Sequence, residues 1–154
     1  NLDDDYLVTL VLKELEKRPN LIFNSKTVER IRTGIKGLKQ RVKTITELAD
    51  ISTFYMAKTP LQLDQKAEDT LTEDALKIIN GLREPLNNIE NWSELAVETT
   101  IKIYAEQYNL KLAKVALPLR AALTGKTTSP SIFEVISVLG WDEVNLRIES
   151  VCRK

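Results

Sequence analysis

Few residues of this 154-residue chain could make or break bonds. The sequence has no histidine, which removes His-based acid–base catalysis, Ser-His-Asp triads and His-containing metal sites. Its single cysteine, Cys152, can form neither an internal disulfide nor a multi-cysteine zinc site. Gly125-Lys126-Thr127 ends like a phosphate-binding loop, but the required earlier glycine falls at Arg120 and a predicted helix precedes it, so the motif is rejected. Carboxylate pairs such as Glu73-Asp74 fall in a predicted first helical turn, where acids favour the helix dipole. No catalytic residue and no metal ligand set is assigned.

The charge distribution suits two readings, an anionic partner or solvated helix faces of alternating sign. Net charge is zero, from 22 basic and 22 acidic residues, yet the signs are segregated. Residues 17–43 hold nine basic side chains and one acid; residues 64–98 hold nine acids and three basic side chains. Residues 102–126 are again basic, five against one. Two basic stretches around an acidic middle can steer an anionic partner to one side of a neutral molecule.

These residues must be positioned by helices, because the apolar pattern is helical nearly throughout. At this length roughly two thirds of the unfolded surface is buried without a metal or disulfide staple. Asp3 to Asp5 supply first-turn acids, and Leu7, Leu10, Val11 and Leu15 form an inward stripe. Pro19-Asn20 ends that helix and Asn24-Ser25 opens the next, with Val28, Ile31, Ile35, Leu38, Val42 and Ile45 inward. Thr44 to Glu47 has capping-box spacing and restarts the helix. Residues 52–63, with Phe54-Tyr55 and Pro60, read as an irregular connection. Helices are expected over 72–86, 92–108 and 111–124, the last kinked or split by Pro118 and capped by Gly125. Ser129-Pro130 reads as N-cap and first helical residue, with Ser131 to Glu134 a capping box in a competing register. Gly140 ends that helix and another follows to Val151. Trp92 and Trp141 read as core residues. The fold class is all-α, as two small lobes at 1–62 and 63–154. No apolar run approaches the roughly 18 residues that span a membrane. Asn1 to Asp5 has no signal-peptide character, and the absence of an initiator methionine fits a fragment. The cytoplasm is the expected compartment.

Leu117 to Gly125, then Ser129-Pro130 and Ile132 to Gly140, resembles the closing segment of glutamyl-tRNA synthetases. That family has a proline- and arginine-containing helix ending in a Leu-Thr-Gly-like turn and a Ser/Thr-Pro segment. An apolar helix ending in Leu-Gly follows, then a short helix with an arginine such as Arg147. Upstream, Gln40 to Ala49 followed by Phe54-Tyr55 looks like the family's lead into its anticodon-binding region.

The resemblance implies a helix bundle followed by an α-helical cage that grips the anticodon stem and loop. It places Arg120, Ser129, Pro130 and Ile132 near the anticodon bases and matches Arg41 to an arginine that helps select the third anticodon nucleotide. The partner implied is the tRNA for glutamate, with glutamine tRNA also charged in non-discriminating members. ATP and the catalytic histidine pair would belong to a separate Rossmann domain, so this region binds no cofactor and is inert alone. DNA and membrane partners are not expected, and a monomer is. The physics suits single-stranded RNA, whose unstacked bases expose their edges to a planar arginine fork. The competing reading is a helical protein–protein interaction module that binds no RNA.

Overall fold

Short polar side chains write the helix starts. Asn24 Oδ1 accepts from Thr27 N at 3.0 Å while Thr27 Oγ1 accepts from Asn24 N at 3.0 Å, a reciprocal box. Thr44, Asp64, Thr72 and Ser93 each accept from the backbone N–H three residues on. A computed structural model describes residues 2–153 of the chain. Asn1 and Lys154, the outer ends of the expected lobes, lie outside the described residues. Those residues form ten α-helices and one isolated antiparallel bridge, Leu21 to Ala57, and no helix among them is long and apolar enough to cross a membrane.

Two compact units divide after Lys58, earlier than the expected boundary after Gln62. The first, Asn1–Lys58, is a bundle of α1 (Leu2–Leu15), α2 (Ser25–Lys39) and α3 (Ile45–Met56), each packed on the other two. The face of α1 turned to the core runs Asp4, Val8, Val11, Leu15, so Val8 belongs to the stripe and Leu7 and Leu10 sit half-buried beside it. Asp4 is tolerated inside because Lys39 Nζ donates to its Oδ1 at 2.5 Å. The expected connection at 52–63 is corrected: Phe54 and Tyr55 are buried in the last turn of α3, and the irregular segment follows Met56. Their adjacency conceals the helical period, because Tyr55 is spent against Gly34, where a Cβ would stand 2.8 Å from its Cε2.

The second unit, Thr59–Lys154, is built on α8 (Leu112–Thr124). Around it lie α4 (Gln65–Thr70), α5 (Glu73–Gly81), α6 (Arg83–Asn87), α7 (Glu94–Gln107), α9 (Ile132–Leu139) and α10 (Trp141–Cys152). α8 packs against α4, α5, α7, α9 and α10, burying Val115, Leu119, Ala121, Ala122 and Leu123. It runs as one helix through Pro118, so the expected split does not occur. The helix expected over 72–86 is two, broken at Leu82. Trp92 and Trp141 are half-buried with ring centroids 6.4 Å apart, and Trp92 Nε1 donates to Ser137 O at 3.1 Å.

Candidate nucleic-acid interface

The end of α8 organises the strongest candidate. Gly125 takes φ +79°, the left-handed conformation that closes a helix, and its N–H donates to Ala121 O at 3.0 Å. Its carbonyl accepts from Asp64 N at 2.9 Å, and a Cβ at 125 would stand 2.4 Å from the Gln62 carbonyl oxygen. Only glycine fits this turn. Thr124 Oγ1 lies 2.8 Å from Arg120 O and 3.1 Å from Lys126 O, the carbonyls to which its hydroxyl can donate, and accepts from Lys126 N at 3.1 Å. The turn is therefore tied to the last turn of α8 on one side and to segment 62–64 on the other.

Across the loop that follows, Arg120 Nε donates to Ser129 Oγ at 2.8 Å, and Ser129 Oγ donates to Pro130 O at 2.7 Å. Arg120 and Ser129 are half-exposed, and Lys126, Thr128 and Ser131 are exposed around them. The structure so brings together two predicted site residues nine positions apart. It corrects the role of Ser129, whose hydroxyl is engaged with Arg120 and caps no helix; α9 begins at Ile132, and Ser131 at its N-cap position makes no side-chain cap bond. Pro130 is buried and Ile132 is 2% exposed, so their side chains are turned away from solvent. Glu134 forms no capping box either; burial, and then the neighbouring Glu94 charge, hold its carboxyl above the usual carboxylate range.

Arg147 is the residue whose contribution the sequence conceals. It is 1% exposed, its Nε donates to Glu143 Oε2 at 2.8 Å, and its Nη1 donates to Leu123 O at 2.6 Å. Glu143 also accepts from Thr59 Oγ1 at 3.0 Å. A buried guanidinium is thus paired and also satisfies one of the last carbonyls of α8, which lack partners within the helix. The i, i+4 spacing of Glu143 and Arg147 signals their pairing; nothing local signals Leu123.

In the first unit the basic stretch is partly consumed by acids outside it. Lys17 pairs with Glu14, Arg18 with Asp50 and Lys39 with Asp4; within it Arg32 pairs with Glu29, and Arg30 donates to Tyr55 O at 3.1 Å. Lys26, Lys36, Arg41 and Lys43 are exposed and make no ion pair among the described residues. Arg41 stands in the turn after α2, where its backbone N–H donates to Leu38 O at 3.1 Å.

The family model described as "Anticodon binding domain" matches residues 6–152. The chain belongs to that family. This anticodon-binding domain is 41% identical over 141 residues to glutamate–tRNA ligase 2 of Rhodospirillum rubrum, covering 92% of this chain and 30% of that protein. It is 48% identical over 121 residues to glutamate–tRNA ligase of Bradyrhizobium diazoefficiens, covering 79% of this chain and 26% of that one. In fold it matches the crystal structure of a glutamate tRNA ligase from Elizabethkingia meningosepticum, with TM-score 0.78, 19% identity, and coverage of 98% of this chain and 29% of the other. The domain spans less than a third of the length of these relatives.

Proposed function

We propose that this domain reads the anticodon stem and loop of a tRNA as the C-terminal part of a glutamate–tRNA ligase, whose catalytic domain attaches glutamate using ATP. The observation that carries this reading is the hydrogen bond between Arg120, near the end of α8, and Ser129, in the partly exposed loop that follows a turn only glycine fits. Ser129 Oγ orients the guanidinium through Nε beside that loop, and a planar guanidinium fork is suited to a base edge or phosphate. Lys126 adds positive charge beside it, and Arg41, in the first unit, is assigned to the third anticodon nucleotide. Pro130 and Ile132 shape the loop and make no base contact of their own.

With no histidine and no nucleotide-binding loop, this region is catalytically inert alone, and ATP belongs to the catalytic domain. The parent is a cytoplasmic, monomeric enzyme whose tRNA is that for glutamate, with glutamine tRNA as the second candidate. The experiment is a binding titration of the chain with glutamate tRNA, glutamine tRNA and a glutamate tRNA bearing an altered anticodon. Tighter binding of an unaltered tRNA supports the reading. Equal binding of all three leaves only a general affinity for RNA, and no binding favours the protein–protein alternative.

A further inference from the structure

We propose that Arg147 and Thr124 are positioning residues for Arg120, holding the recognition side chain in place through the last turn of α8 without touching RNA themselves. The inference rests on the anticodon reading of Arg120. Arg120 lies one turn before the end of α8, where backbone carbonyls run out of helical partners and the helix tends to fray. Two side chains close that turn. Thr124, 8% exposed, fastens Arg120 O with its hydroxyl at 2.8 Å and binds Lys126 at the start of the loop. Arg147, fully enclosed, reaches from α10 and takes Leu123 O at 2.6 Å, with Glu143 balancing its charge at 2.8 Å. A cation at a helix C-terminus also complements the dipole there.

The consequence is geometric. Arg120 Nε reaches Ser129 Oγ at 2.8 Å only while the last turn of α8 and the loop 125–129 keep their register. Arg147 and Thr124 fix one from each side: the helix end through Leu123 O, and the loop through the Thr124–Lys126 exchange. A recognition group left about 1 Å loose by its supporting shell loses much of its selectivity. Loss of either support therefore lowers discrimination between anticodons, beyond any loss of stability.

The test measures Kd of the chain for a glutamate tRNA transcript and for the same transcript with one altered anticodon nucleotide. It compares the unsubstituted chain with Arg147→Met, Arg147→Lys and Thr124→Val, at a temperature where circular dichroism shows each variant folded. Arg147→Met is expected to cut the discrimination ratio roughly tenfold, within what one base-edge contact supplies. Affinity for the altered transcript should be nearly unchanged. Arg147→Lys should restore part of the ratio, because its ammonium can still donate to Leu123 O or Glu143. If Arg147→Met does not fold, Thr124→Val carries the test, since it removes the hydroxyl links while conserving volume. A lower melting temperature with an unchanged ratio in the folded variants overturns the inference. An unsubstituted chain that does not distinguish the transcripts overturns the anticodon reading itself, and that control separates the two failures.

Discussion

Arg120 and Ser129 are best understood as one unit in which the hydroxyl sets the orientation of the guanidinium. If Arg120 reads a base, Arg120→Ala costs about 1–3 kcal/mol of selective binding, the scale of a good base-edge contact. The measurement is the Kd ratio for transcripts with native and altered anticodons; a uniform loss across transcripts would assign Arg120 to a phosphate instead. Ser129→Ala removes no helix cap, so its melting temperature should stay close to that of the parent chain while selectivity falls. Ser-Pro before an apolar run is a common helix start, and no local window shows that Arg120, nine residues back, donates to this hydroxyl. Asp4 makes a second prediction at this scale. The Lys39 hydrogen bond, outweighing burial, holds its carboxyl below the usual value. The folded value lies below the unfolded one, so the stabilisation is present above the unfolded carboxylate pKa and is lost as pH falls through the folded value. Urea midpoints across the acid range should drop more for the parent chain than for Asp4→Asn, and parallel curves would sink the assignment.

At the scale of elements, the turn after α8 decides whether the site exists. Gly125→Ala places an L-residue at φ +79°, which costs about 1–2 kcal/mol in the backbone alone. The Cβ would also press on the Gln62 carbonyl at 2.4 Å, and backbone there cannot swing aside as a side chain could. The variant should melt several degrees lower and bind tRNA more weakly, since Arg120 and the loop diverge at this residue. Unchanged binding would mean that the loop keeps its register without the turn. The same turn shows why parts of the fold were readable in advance. Gly125, Asn24 and Thr44 act within three or four residues, so their types and spacing suffice to mark helix ends. Local propensity alone predicts an irregular segment at Phe54-Tyr55 and a kink or split at Pro118. Packing overrides that propensity: Tyr55 fills the space at Gly34, and α8 is held by five neighbouring helices.

At the scale of the whole chain, zero net charge conceals which cations can meet RNA. The stretch 17–43 looked strongly basic in sequence, yet Asp4, Glu14 and Asp50 reach into it from outside, and Glu29 takes Arg32. The pairs of Lys17 and Arg32 lie at the exposed surface and add little stability, and any paired cation must give up its acid before it can take a phosphate. The exposed Lys26, Lys36, Arg41 and Lys43 carry no such cost, so they are the phosphate-binding candidates of the first unit. Each phosphate contact releases condensed counterions, so affinity for tRNA should fall steeply with salt. Lys36→Ala and Lys43→Ala are each expected to weaken binding to all transcripts alike and to flatten the salt slope by about one. Arg32→Ala should leave both affinity and slope nearly unchanged, because its charge is already committed to Glu29 at 3.0 Å. Arg41→Ala should differ from the lysines: assigned to the third anticodon nucleotide, it should lose affinity chiefly for transcripts carrying the native nucleotide there. Titrations at four or five salt concentrations with each variant settle the matter. If Arg32→Ala weakens binding as much as Lys36→Ala does, pairing does not decide which cations meet RNA, and the first unit binds through its overall field instead.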